Sequence, residues 1–230
     1  MRTSKVNQLI DRIAEKKKRL SETTDRYNLF TQRYMDLVSL FYHYLQLDDQ
    51  NTAAGSEILR YFLIASVANI EVYSRHALGC LVDSGEPFCI NAARKFKDIK
   101  FRLDSVFAME RKKVTIGDIF AHLVPLNDLD SILSAFSSII GKDISAEVEK
   151  SGRQHDIDVF KTVAEVFRLR HICCHEVQAV VSLTPQWVAT AITKCHTFGF
   201  AIECSVLEAL TNNSQIKIAN IEKQVKIQDK

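Results

Sequence analysis

The chain has 230 residues, 47% hydrophobic and 25% charged, an ordinary balance for a folded globular protein. Seven glycines and three prolines are too few for the turns of a many-stranded sheet, which excludes most all-β designs and leaves an all-α fold as the expectation. A net charge of +2 carries little weight taken whole, so its distribution along the chain matters more.

Residues 3–47 read as one or two helices. Val6, Leu9, Ile10, Ile13 and Leu20 form one amphipathic stripe. Tyr27, Phe30, Tyr34, Leu37, Leu40, Phe41 and Tyr44 form a broader one at three- and four-residue spacing. Residues 47–55 are polar and end in glycine, so they read as a linker, with residues 1–50 an N-terminal helical arm. Ser56 is a fair N-cap for the next helix, which runs to about Cys80 and is apolar on nearly every face. Such a helix belongs at the centre of a bundle. Glu71 interrupts its apolar run, and Arg75 four residues on offers a simple ion pair.

Residues 82–87 form a turn, and a helix is expected from about Ile90 to Met109. Thr115 opens a short helix that Pro125 ends. Asn127 or Asp128 caps the next, which carries Leu129, Ile132, Leu133, Phe136, Ile139 and Ile140 before Gly141 stops it. Residues 141–155 are polar, with a loop expected at Ser151 and Gly152. A helix follows from about Asp156 to Val181. Thr184 and Pro185 then make a strong start signal for a helix ending at 211–213. The tail, 214–230, has a period that fits helix or strand.

Two segments concentrate positive charge. Residues 1–20 hold seven Lys/Arg, and residues 91–113 hold eight, among them Arg94, Lys95, Lys97, Lys100 and Arg102. They suit a polyanion such as nucleic acid, or are solvated helix faces. The six cysteines fall mostly within apolar helical patterns, as expected of free thiols in a reducing, cytoplasmic setting. No signal peptide is read at the start, and the most apolar run, 61–70, is too short to span a bilayer. P-loop, dinucleotide-fingerprint and His-Glu-x-x-His patterns are absent.

The densest chemistry lies at Arg168, Arg170, His171, Cys173, Cys174, His175 and Glu176, inside a run that otherwise reads as buried helix. Ionisable groups in such a setting are either paired or part of a site. His171 and His175 share a helix face, whereas Arg170 and His175 stand roughly 140° apart. Three readings are open. Histidine for proton transfer and arginine for phosphate are the groups that metal-independent RNA cleavage by 2′-OH attack requires. His171 and His175 with Cys173, Cys174, Cys195, His196 or His155 are zinc-ligand types, although Cys173 and Cys174 point apart on a helix. A structural reading pairs Arg170 and Glu176 with neighbours and hydrogen-bonds the histidines.

Arginine followed five residues later by histidine, Arg170 to His175 with His171 at the intervening polar position, resembles the signature of the HEPN superfamily. The apolar helix over 56–80 carrying Glu71 resembles that family's early helix. The resemblance spans about 55–211, and the motif is similar to that of toxin-like and phage-defence members. It implies a bundle of about five core helices, with inserted helices at about 115–153, that forms a homodimer with both motifs in one cleft. The implied activity is a metal-independent endoribonuclease acting on RNA, without cofactor. Arg170 would polarise the scissile phosphate, His175 would be the general acid–base, His171 would orient substrate or support His175, and Glu71 would be an acidic partner. An antitoxin or regulatory protein is an implied partner; a membrane is not. The same resemblance admits a non-catalytic binding or scaffold protein, or the partner of a nucleotidyltransferase.

Overall fold

Two long helices form the axis of an all-α bundle. The computed structural model describes residues 3–19, 26–47, 52–96, 101–153, 159–175 and 182–228. These form ten helices and no strand: α1 Thr3–Arg19, α2 Arg26–Leu45, α3 Ala53–Asp83, α4 Phe88–Lys95, α5 Leu103–Arg111, α6 Ile116–Leu123, α7 Leu129–Ile140, α8 Ser145–Arg153, α9 Val159–His175 and α10 Pro185–Gln228. None is long and apolar enough to cross a membrane.

The first axis is α3. It starts a turn earlier than Ser56 suggests, because Thr52 Oγ1 accepts the Gly55 amide at 3.1 Å and two alanines follow the cap. Gly55 is therefore buried helix and not linker. Leu63, Val67, Ile70, Ala77, Leu78 and Leu81 are fully enclosed along its length, and α2, α4, α6, α7, α9 and α10 all pack on it. The second axis, α10, begins as expected, with the Trp187 amide donating to Thr184 Oγ1 at 3.2 Å. It does not stop at 211–213. Helix continues through Gln228, so the tail is helical over its described part.

Within the first fifty residues, α1 packs on α5 and α6, and α2 packs on α3 and α10. The broad aromatic stripe of α2 places Phe30, Tyr34, Phe41 and Tyr44 in the main core with α3 and α10. Each buried aromatic or aliphatic side chain contributes about 1.5–3 kcal/mol, which an outlying helix would forgo. Val6, Ile10 and Ile13 of α1 instead build a smaller cluster with Met109 of α5, Val114 of the turn that follows it and Ile119 of α6. Ser105 Oγ donates to Asn7 Oδ1 at 3.1 Å, and Lys112 pairs with Asp11, tying α5 to α1.

The helix expected over 90–109 is two helices, α4 and α5. The end of α5 is a Schellman turn without glycine: Lys113 sits at φ 53, the Val114 amide bonds Met109 O at 2.9 Å, and the Lys113 amide bonds Glu110 O at 3.1 Å. Burial of Val114 beside Met109 in the smaller cluster compensates for a left-handed lysine. Thr115 and Asp118 then form a full capping box for α6. Asp128 caps α7 through the Ser131 amide at 2.7 Å, and Gly141 at φ 84 ends it. A further helix, α8, occupies part of the expected polar loop. Ile144 and Val148, four apart and both buried, suffice to dock it against α10, and Gly152 lies inside it.

Two close approaches set helix positions. At the α3–α6 crossing a Cβ on Gly117 would stand 2.2 Å from the Gly79 carbonyl oxygen, and the Gly117 amide donates to Asp83 Oδ1 at 2.9 Å. On α10 a Cβ on Gly199 would stand 2.1 Å from the Phe30 ring. Glycine there is what lets α2 lie against α10.

Candidate functional site

The motif lies at the C-terminal end of α9, whose Val159, Val163, Val166, Phe167 and Leu169 face the core. Arg170 comes next and sits at the boundary. Its Nη2 stands 3.6 Å from Glu71 Oε1 on α3, with side-chain exposures of 28% and 20%. The distance is an ion pair but longer than a hydrogen bond, so the guanidinium's donors are not committed to the carboxylate. The structure thus brings together two of the four residues singled out in sequence, on helices a hundred residues apart.

The local pair expected between Glu71 and Arg75 is not the main contact of either. Arg75 donates through Nη1 to the Ala121 carbonyl at 2.7 Å and the Val124 carbonyl at 3.4 Å, at the C-terminal end of α6. A cation there meets the negative end of the helix dipole. Burial lowers the Arg75 pKa from its ordinary value, and the Glu71 charge opposes that shift. Glu71 therefore lies in the field of two arginines, one fixed on α6 and one on α9.

His171 and His175 are both exposed, one turn apart, with ring centres 4.8 Å apart and planes inclined at 48°. Neither ring is enclosed by the bundle. Beside them Arg168 makes a two-point contact with Glu165 at 2.8 and 2.6 Å, and that bond holds the Glu165 carboxyl below its ordinary pKa. Glu176 and His155 lie outside the described residues.

The chain matches no family model, no curated protein and no solved structure.

Among the described residues no group of three or more His, Cys, Asp and Glu side chains could hold a metal ion. Cys195 is fully buried on α10 and its neighbour His196 stacks on Phe30 at 5.7 Å, so both belong to the α2–α10 interface. Cys173 is half-buried. Burial raises its thiol pKa, while the Arg60 guanidinium opposes the shift. That disfavours a thiolate nucleophile at this position. The basic side chains of the second segment are placed elsewhere. Arg94 and Lys95 lie on α4, where Arg94 donates to Asn91 at 3.4 Å and Lys95 to Ser138 of α7 at 3.3 Å. Arg102 precedes the first residue of α5 and stands 3.5 Å from Asp104. Lys97 and Lys100 lie outside the described residues.

One polar cluster has no counterpart in the sequence reading. Glu203 of α10, 5% exposed, accepts from Arg26 Nη2 at 2.8 Å and from the Tyr73 hydroxyl at 2.6 Å. Burial and the adjacent carboxylate raise the Tyr73 pKa well above the ordinary value. The only signal in sequence is a glutamate inside an apolar helix pattern. An apolar cavity of about 310 Å³, lined by Cys89, Phe96, Phe101, Ile116 and Phe120 among others, opens between α4 and α6 and carries no carboxylate, imidazole or cationic side chain.

Proposed function

We propose that this chain is a metal-independent endoribonuclease of the HEPN type, working as a homodimer in a toxin or defence setting. The observation that carries the reading is the Glu71–Arg170 pair beside two exposed histidines. An arginine held by a carboxylate at 3.6 Å, with donors to spare, is oriented for a phosphodiester without being neutralised by a tight bond.

In the proposed reaction a ribose 2′-OH attacks the adjacent phosphorus while its proton passes to a base, and the leaving 5′-oxygen takes a proton from an acid. The products are a 2′,3′-cyclic phosphate and a 5′-OH. His175 supplies the acid–base function, Arg170 stabilises charge on the phosphate oxygens, His171 orients the substrate, and Glu71 positions Arg170. On one helix Arg170 and His175 diverge by roughly 140°. A cleft between two copies of α9 draws the two groups from opposed directions.

The experiment is cleavage of a mixed RNA pool by purified protein in EDTA, with analysis of the product ends. Wild-type protein leaves 2′,3′-cyclic phosphates. His175→Ala reduces the rate by roughly 10²–10⁴-fold and Arg170→Ala by roughly 10²–10³-fold. Cleavage that needs a metal, or that both variants retain, refutes the mechanism.

A further inference from the structure

The two histidines at the end of α9 have a second chemistry that acid–base catalysis does not require. With a Zn–N bond of about 2.0–2.1 Å and the ring centre roughly 1.1 Å behind its nitrogen, two imidazoles meeting a metal at about 90–110° stand roughly 4.5–5.2 Å apart, centre to centre. His171 and His175 stand 4.8 Å apart in the structure. Their i,i+4 spacing is the one by which helices present two imidazoles to one ion. Both rings are exposed, so the ion has an open path and little protein must be desolvated. The nearest cation along the same face is Arg168, and Glu165 offsets its charge through the two-point contact at 2.8 and 2.6 Å.

We propose that His171 and His175 form a labile two-nitrogen chelate for Zn²⁺ or a similar imidazole-preferring ion, and that its occupancy switches the site off. Each imidazole donates one ring-nitrogen lone pair, so both must be neutral, and water fills the remaining positions. A lone pair given to a metal cannot accept a proton from a 2′-OH. Two protein ligands hold an ion loosely, in contrast to the four of a structural zinc site, and a loosely held ion suits reversible control. The binding claim stands on the ring separation and the i,i+4 spacing, and the inhibitory consequence rests on the ribonuclease reading.

The test has two arms on the full chain. In the first, Ni²⁺ and Zn²⁺ are titrated calorimetrically into wild type, His171→Ala, His175→Ala and Cys174→Ser. Ni²⁺ is included because imidazole suits it, whereas thiolates compete for Zn²⁺. The expected result is a saturable site whose Ni²⁺ affinity falls at least tenfold in each histidine variant and is unchanged in Cys174→Ser. Both histidines are exposed, and circular dichroism establishes that the variants keep their helices. Wild-type Ni²⁺ affinity in either histidine variant, or no saturable binding by wild type, overturns the chelate. In the second arm, RNA cleavage is followed with added Zn²⁺ and then with excess EDTA. Loss and full recovery establish the switch, and undiminished cleavage at saturating Zn²⁺ overturns it. Ni²⁺ binding without RNA cleavage under any condition leaves the chelate standing and removes the ribonuclease reading, so the two failures are distinguishable.

Discussion

Arg170 of α9 meets Glu71 of α3 at 3.6 Å, partly shielded by the bundle but not buried in it. A pair so exposed contributes little to stability, about 0–1 kcal/mol, so its worth is positional. Glu71→Gln keeps the shape and removes the charge. It is expected to leave the unfolding free energy within about 1 kcal/mol of wild type. In the proposed reaction it lowers RNA cleavage by about 10²-fold, because a misplaced guanidinium no longer meets the phosphate. Parallel urea titrations and single-turnover cleavage separate the two effects. A variant with unchanged cleavage would remove Glu71 from the site.

Glu203 shows the opposite balance. Its carboxylate is enclosed and serves Arg26 and Tyr73 at once. Removing it as Glu203→Ala leaves a largely buried guanidinium without that partner, and breaking such a pair costs about 3–5 kcal/mol. Tyr73→Phe removes only one charge-assisted bond, with an expected cost of about 1.5–3 kcal/mol. Urea denaturation gives both values. A larger loss for Tyr73→Phe than for Glu203→Ala would contradict this ranking.

Gly117 and Gly199 are expected to tolerate even alanine poorly, to different degrees. At Gly117 the obstacle is the Gly79 carbonyl, 2.2 Å from the added Cβ, and backbone there moves only if α3 and α6 separate. At Gly199 the obstacle is the Phe30 ring at 2.1 Å, flanked by Tyr34 and Tyr73 at 4.8 and 4.7 Å. Overpacking costs typically about 1–3 kcal/mol, and Gly117→Ala is expected at or beyond the upper end. Thermal and urea unfolding of the two variants checks the order. Gly199→Ala combined with Phe30→Leu should recover part of the loss, because the clash is with a side chain.

The legible part of this fold is what chemistry close in sequence dictates. Thr115, Asp128, Gly141 and Thr184 mark helix ends through contacts three or four residues away, and each does so in the structure. The all-α class follows from apolar periodicity and the scarcity of turn residues. Contacts between distant elements were not legible. The role of α2 depends on Gly199 admitting Phe30, and that glycine sits 169 positions downstream. Whether Glu71 faces Arg170 or Arg75 depends on the rotation of α3 against α9 and on the carbonyl end of α6 reaching Arg75. Short α8 was missed because one buried pair, Ile144 and Val148, is too brief a pattern to stand out from polar neighbours.

Cys195 links burial to alkaline stability. The thiol is fully enclosed on the inner face of α10, and burial pushes its pKa from 9.0 up to about 12. The native state keeps the proton through that interval, whereas an unfolded chain releases it near 9. Above pH 9 the unfolded state therefore binds fewer protons than the native one, and stability falls as pH rises. The contribution is complete below pH 9 and is lost progressively toward pH 12, at about 1.4 kcal/mol per pH unit for one group. Tyr34, also enclosed and raised well above 10.0, adds a second loss that begins about one unit higher. Cys195→Ala removes the Cys195 part of the loss above pH 9 and keeps the parts due to Cys80, Cys173 and Cys204, whose thiols burial also raises, and to Tyr34. Unfolding free energies from urea titrations at pH 8 and pH 10 should decline by about 1.4 kcal/mol less in the variant, superimposed on a lower overall stability from the lost side chain. Equal slopes in the two proteins would show that the Cys195 thiol titrates alike in the folded and unfolded chain.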